Sequence, residues 1–109
     1  MTTPFPTHME TLAILALLDA KPGKEAEVES FLRSALPMAR AEAGTVGWYA
    51  VKLAPSRFAI FDTFHDEGGR DAHLSGPIAA ALMANAAELL AAPPRIERAE
   101  VLAAKPASS

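Results

Sequence analysis

Two spacings of apolar residues alternate along the chain, and they predict where strands and helices fall. Residues 11–20 (TLAILALLDA) are apolar at odd and even positions alike and stop at Lys21-Pro22-Gly23, which indicates a short strand covered on both faces. In residues 24–43, apolar side chains recur every three or four positions, which predicts an amphipathic helix. Pro37 is expected to kink this helix, and Gly44 is expected to end it in the left-handed conformation.

The second half of the chain adds three strands and another helical region. Residues 45–53 (TVGWYAVKL) and 58–64 (FAIFDTF) are rich in β-branched and aromatic side chains and are separated by a short turn, so we expect an antiparallel hairpin. Residues 67–92 are predicted to be helical, with a break at Gly76-Pro77. Residues 96–103 alternate weakly, which indicates a last strand near the edge of the sheet.

This order of elements predicts an α+β fold of the ferredoxin-like βαββαβ type, in which both helices cover one face of an antiparallel sheet. Because the first and third strands are apolar on both faces, the second face would expose on the order of several hundred Å² of apolar surface. Burying it contributes about 25 cal/mol per Å², so we expect a homodimer through the sheet face. The domain is predicted to span residues 10–104, with flexible tails at residues 1–9 and 105–109.

Composition narrows the class of protein. A chain of 109 residues fits one domain, and the absence of cysteine excludes disulfides and thiolate metal sites. A net charge of −3, with no basic run interleaved with aromatic residues, argues against nucleic acid as a partner. The longest apolar run, residues 12–18, is too short to span a bilayer, and residues 1–10 lack a signal-peptide pattern. We therefore expect a cytoplasmic protein with no membrane partner.

Four segments resemble the antibiotic biosynthesis monooxygenase (ABM) domain family of the dimeric α+β barrel superfamily. They are residues 20–25 (AKPGKE), 42–48 (EAGTVGW), 58–64 (FAIFDTF) and 71–77 (DAHLSGP), and together the likeness covers residues 11–103. The resemblance implies a homodimeric α+β barrel and a small monooxygenase that needs no cofactor and no metal. It also implies a phenol, quinol or polycyclic aromatic substrate, held in a pocket between sheet and helices.

Two residues are candidates for catalysis. His73 matches the histidine that the family carries on the helix after the third strand, where its imidazole could accept a proton from a phenol. Alternatively, His73 is a half-buried residue bonded to a strand carbonyl. Asp62 shares strand parity with large apolar residues, and a buried carboxylate needs a partner. It is either poised in the pocket or paired with an arginine, for which Arg57, Arg70 and Arg98 are the candidates.

The expected walls of the substrate pocket are aromatic or aliphatic. They are Phe64, Trp48, Tyr49, Phe58, Ile60 and Met83. Core packing is the default explanation for Trp48 and Tyr49, and it explains Met83 equally well. Trp48 and Tyr49 are neighbours on a strand, so one should face the helices and the other the predicted dimer interface. Many relatives carry a glutamate and a tryptophan where this chain has Asp62 and Phe64, and the missing indole removes an N–H donor.

Other classes of site lack their usual sequence signatures in this chain. The cluster of His65, Asp66, Asp71 and His73 lacks zinc-ligand spacing, and no glycine-rich loop has the dinucleotide pattern. Two alternatives to the monooxygenase stay open. One is a non-catalytic binding protein for a small hydrophobic metabolite, and the other is an isomerase of a small carbonyl compound with His73 as its base.

Overall fold

Four antiparallel strands form one sheet, and all helices pack against one of its faces. A computed structural model describes residues 10–105 of the chain. The strands are β1 (Leu12–Asp19), β2 (Thr45–Ala54), β3 (Arg57–Phe64) and β4 (Arg95–Glu100), in the sheet order β2-β3-β1-β4. The helices are α1 (Glu25–Ser34), α2 (Leu36–Ala41), α3 (Glu67–Leu74) and α4 (Pro77–Leu89). The ferredoxin-like α+β fold is therefore confirmed, and β4 lies at a sheet edge as predicted.

The described residues, 10–105, cover the predicted domain, residues 10–104, and one residue more. The tail predicted at residues 1–9, and all but Lys105 of the tail predicted at residues 105–109, lie outside the described residues. None of the helices in residues 10–105 has the length and hydropathy needed to span a bilayer.

Each helical region is split into two helices, and a proline stands in the first turn of the second one. The predicted helix over residues 24–43 breaks at the fully buried Ala35, where α1 gives way to α2. Pro37 is the second residue of α2 and Pro77 is the first residue of α4. A missing N–H costs little in a first turn, because those amides have no partner inside the helix. The break therefore precedes Pro37 instead of bending a continuous helix at it.

Gly44 plays a different part from the one predicted. Among residues 10–105, Gly23 is the only residue with a positive φ, so the left-handed conformation expected for Gly44 is wrong. Gly44 instead allows the backbone before β2 to touch the backbone of α3. A Cβ added to Gly44 would lie 2.7 Å from Gly69 Cα, and one added to Gly69 would lie 2.6 Å from the Gly44 carbonyl oxygen. This contact brings together two segments that carry the site described below.

We predict that Gly69→Ala lowers the free energy of unfolding by about 1–3 kcal/mol, because the added methyl group meets rigid backbone. The matched control is Gly68→Ala, where a Cβ would meet only the Asp66 carboxylate, at 3.4 Å. Removing that helical glycine should leave stability unchanged or raise it by up to about 1 kcal/mol. Urea unfolding followed by Trp48 fluorescence measures both. Equal effects from the two neighbouring substitutions would contradict the proposed contact.

The two faces of the sheet differ in what covers them. On the helix side, side chains from β1 and β3 such as Leu18, Phe58 and Ile60 pack against the helices and form the core. On the opposite side, which we call the rear face, apolar side chains remain exposed. These are Tyr49 (58 %), Leu53 (54 %), Val51 (43 %) and Phe61 (39 %). The rear face of a single chain is thus as apolar as the sequence pattern indicates.

Candidate functional site

The two residues predicted as catalytic, His73 and Asp62, meet in the core between β3 and α3. His73 Nε2 lies 2.9 Å from Asp62 Oδ2, and His73 Nδ1 lies 2.6 Å from Glu42 Oε1. Asp62 is 1 % exposed and His73 is 7 % exposed. The three side chains form a buried carboxylate–imidazole–carboxylate arrangement, which we call the Glu42–His73–Asp62 cluster.

Strand β3 and helix α3 position two members of this cluster. Asp62 lies on β3, on the face that packs against the helices. Helix α3 begins soon after β3 because Asp66 caps it, accepting a hydrogen bond of 2.8 Å from the Gly69 amide. His73 lies in the last turn of this helix, so its ring returns towards the sheet. The Phe64 ring lies beside it, with the two ring centroids 5.5 Å apart and the ring planes tilted by 45°.

Glu42 is the functional candidate that the sequence pattern missed. It caps the C-terminal end of α2, and Thr45 Oγ1 donates a hydrogen bond of 2.7 Å to its Oε1 atom. The Gly44–Gly69 backbone contact lies between this segment and α3, which carries His73 31 residues further along the chain. The sequence does show Glu42 and Thr45 three positions apart near the end of a helix. This spacing does not identify His73 as the partner of Glu42.

The arginines expected to pair with Asp62 lie elsewhere, so that alternative is wrong. Arg57 pairs with Asp19 at 3.4 Å, and Arg98 pairs with Asp71 at 3.4 Å. The buried Arg70 instead donates from Nη1 to two backbone carbonyl oxygens, those of Ala99 at 3.1 Å and Ala13 at 3.4 Å. The strand carbonyl considered for His73 is also wrong, because each of its ring nitrogens contacts a carboxylate instead.

The two carboxylates decide the protonation of His73. Burial by itself lowers the pKa of His73, but the interactions with Asp62 and Glu42 outweigh it and raise the pKa to about 9. His73 is therefore an imidazolium at neutral pH, with a carboxylate oxygen within 3 Å of each ring nitrogen. In this arrangement it has no lone pair with which to accept a proton from a substrate.

Hydrogen bonding in the cluster is incomplete. The Asp62–His73 contact is close but not aligned as a hydrogen bond, and within residues 10–105 both Asp62 oxygens lack a donor, as does Glu42 Oε2. Trp48, which pairs with Asp62 across the strands, also has a buried Nε1 atom without an acceptor there. Glu42 is therefore held by two hydrogen bonds to its Oε1 atom, from His73 and Thr45, whereas Asp62 depends on its close contact with the imidazolium.

A groove opens on the other side of Trp48, between α1 and β2, and we call it the front groove. Its volume is about 470 Å³. Its floor is formed by Leu32, Leu36, Trp48, Ala50 and Phe58. Its rim carries Glu29, which pairs with Arg33 at 3.0 Å and with Lys52 at 3.4 Å. An apolar floor with charged groups at the rim suits a small aromatic molecule with an ionised substituent.

The front groove contains two of the six predicted pocket residues, Trp48 and Phe58. The other four lie in different places. Ile60 is buried in the core, Phe64 lies beside His73, Tyr49 is on the rear face, and Met83 is 58 % exposed on α4. The six residues therefore do not line one pocket in this chain, and neither His73 nor Asp62 lines the front groove. Within residues 10–105, no group of three or more acidic, histidine or cysteine side chains is placed to bind a metal ion.

Comparisons with known proteins identify the fold and one near relative. No family model and no curated protein matches the chain. Among solved structures, a protein of unknown function from Nitrosomonas europaea is 61 % identical, with a TM-score of 0.87 over 90 % of this chain and 95 % of that chain. A second protein from Nitrosomonas europaea, whose name proposes an antibiotic biosynthesis monooxygenase, is 17 % identical, with a TM-score of 0.75 over 92 % and 96 %. An antibiotic biosynthesis monooxygenase is 16 % identical, with a TM-score of 0.72 over 84 % and 99 %. At such low identity, the last two show likeness of fold alone.

Proposed function

The chain belongs to the same family as the Nitrosomonas europaea protein of unknown function and has the fold of antibiotic biosynthesis monooxygenases, and we propose that it is a cofactor-independent monooxygenase. Its substrate would be a small phenol, quinol or polycyclic aromatic that binds in the front groove. The observation that carries this proposal is the groove itself, in which Trp48 and Phe58 supply an aromatic floor beneath the cations Arg33 and Lys52.

The groove suits the anion through which such a reaction proceeds. A volume of about 470 Å³ holds one to a few fused rings, and apolar walls keep water from the bound ring. Lys52 and Arg33 at the rim would favour the phenolate over the phenol, because a nearby positive charge stabilises the ionised form. The protein therefore contributes orientation, exclusion of water and stabilisation of the substrate anion.

The reaction balances without any further reductant. The phenolate transfers one electron to O₂, and the resulting radical pair forms a C–O bond at a ring carbon that carries hydrogen. Loss of that proton breaks the O–O bond of the hydroperoxide. One oxygen atom remains on the ring as a quinone carbonyl, and the other leaves as water. The substrate supplies all the electrons, so the reaction needs no redox cofactor. This agrees with the cofactor-independent activity that the resemblance implies.

The catalytic role expected for His73 and Asp62 remains a prediction. The Glu42–His73–Asp62 cluster lies beyond Trp48 from the groove, and its imidazolium holds its proton near neutral pH. These features support a role in holding α3 and the segment before β2 against β3, which in turn fixes the strand pair that carries Trp48. A base role for His73 in an isomerase receives no support from this geometry.

We predict that oxygen uptake with simple naphthols and hydroquinones depends on the front groove. Ala50→Leu places a larger side chain on the floor and should lower kcat/KM by about tenfold or more. Ala26→Leu, at an exposed position of α1 outside the groove, is the matched control and should retain the activity. Oxygen consumption in an electrode cell measures both. No uptake above background across the panel would contradict the monooxygenase.

A second function, binding without turnover, is favoured by one observation. Each ring nitrogen of His73 contacts a carboxylate, and His73 does not line the front groove, so His73 supplies no free base there. A protein that holds a small hydrophobic metabolite needs no such base. Calorimetric binding of the same naphthols, combined with no oxygen uptake, would favour this function over the monooxygenase.

We also propose that two chains associate through the rear face, which would bury its exposed apolar side chains and close the barrel. Size-exclusion chromatography with light scattering should give twice the 11.5 kDa mass of one chain. Phe61→Lys, on the rear face, should yield monomers, because a lysine at a buried interface lacks a partner. Val46→Lys, at a valine of similar exposure, should remain dimeric. A wild-type monomer at micromolar concentration would contradict this association.

A further inference from the structure

The front groove continues past Trp48 into a second cavity. This cavity has a volume of about 250 Å³ and lies between α2 and the start of β2. It shares Leu36 and Trp48 with the front groove, and it is otherwise lined by Ala39, Arg40, Thr45 and Val46. The two cavities therefore adjoin along β2, with the Trp48 side chain in the wall between them. A molecule longer than one ring could contact both.

The charges along these two cavities are predominantly positive on a chain of net charge −3. Arg33 and Lys52 stand in the front groove together with Glu29, whose pKa is lowered by its hydrogen bonds with Arg33 and Lys52. Arg40 stands in the second cavity and makes no ion pair within residues 10–105. The two cavities thus carry three positive side chains and one negative side chain, and the unpaired cation lies at the far end.

Trp48 places a flat apolar surface between these two ends. Together with Leu36, it lines both cavities. Its indole ring favours an aromatic molecule over an aliphatic one, because aromatic rings stack or pack edge to face on one another.

We propose that the substrate is an extended aromatic acid, with its ring against Trp48, its phenolate near Lys52 and a carboxylate near Arg40. Guanidinium groups bind carboxylates through two parallel hydrogen bonds, and a point charge such as Lys52 suits a phenolate oxygen. This inference rests on the proposed function for the location of the site, and it adds the chemical class of the molecule that the site selects.

The test compares two probes that differ by one carboxylate, 6-hydroxy-2-naphthoate and 2-naphthol, by isothermal titration calorimetry at low salt. The naphthoate should bind about tenfold tighter to the wild-type protein, because a charge-assisted hydrogen-bond pair distinguishes it. Arg40→Gln should remove this preference. Arg57→Gln is the matched control, since Arg57 is an exposed arginine on β3 that pairs with Asp19, and it should keep the preference.

The possible failures are distinguishable. Equal affinity of the two probes for the wild-type protein would overturn the aromatic acid while leaving the front groove as the site. A preference that survives Arg40→Gln but disappears in Lys52→Gln would overturn the assignment of the carboxylate to Arg40. Failure of both probes to bind at millimolar concentration would count against the groove itself, and therefore against the proposed function as well.

Discussion

Replacing His73 with alanine is expected to lower the free energy of unfolding by about 3–5 kcal/mol, the range seen when one partner of a buried ion pair is removed. The substitution leaves the Glu42 and Asp62 carboxylates buried without their shared cation, and several of their oxygens already lack donors. Urea unfolding at pH 7, followed by the fluorescence of Trp48, measures the loss.

Two further variants keep this prediction testable even if His73→Ala folds poorly. Asp71→Ala removes an exposed carboxylate from the same helix, which pairs with Arg98 at 3.4 Å, and should cost less than about 1 kcal/mol. Adding Asp62→Asn and Glu42→Gln to His73→Ala should restore part of the lost stability, because no unpaired charge then remains buried. A loss no greater than that of Asp71→Ala, or no recovery in the triple variant, would contradict charge pairing as the role of the cluster.

The stability of the protein is expected to fall as pH rises through 9. The folded chain raises the pKa of His73 from an ordinary 6.5 to about 9, so the folded state binds this proton more tightly than the unfolded state does. The stabilisation is therefore complete below pH 6.5, declines as pH rises towards 9, and is absent well above pH 9. A difference of about 2.5 in pKa corresponds to roughly 3 kcal/mol at most.

The measurement is a series of urea unfolding curves between pH 6 and pH 10 for the wild-type protein and His73→Gln. The variant carries no group that titrates at this position, so its stability should change less steeply over this interval. The difference between the two slopes isolates His73 from the lysines and Tyr49, which both proteins share. Parallel curves would show that His73 does not hold an additional proton in the folded state.

The order of elements could be predicted because it depends on spacing along the chain. The unbroken apolar run of β1 and the helical stripe of α1 and α2 are visible without knowing what they pack against. The errors concern backbone details that only packing decides. Ala35 continues the apolar stripe and so conceals the break between α1 and α2, and Gly44 is required by contact with Gly69, which lies 25 positions further along.

The candidate site was only half visible in the sequence for a related reason. The parity of β3 shows that Asp62 is buried and needs a partner, but it does not distinguish an arginine from a histidine. Glu42 does not stand out in the sequence, because its contact with His73 spans 31 residues. In the groove, the Glu29–Arg33 pair has the i,i+4 spacing that can be read from the sequence, whereas Lys52 reaches Glu29 from β2.

Because β1 pairs with β4, we expect the fold to tolerate a change in where its chain begins and ends. The Val101 amide donates to the Thr11 carbonyl oxygen at 2.9 Å, so the end of β4 and the start of β1 are adjacent. A short linker between them, with a cut in the β2–β3 hairpin turn at Pro55, would give a circular permutant that begins with β3. Its elements would again run strand, helix, strand, strand, helix, strand, because the molecule consists of two interchangeable βαβ halves.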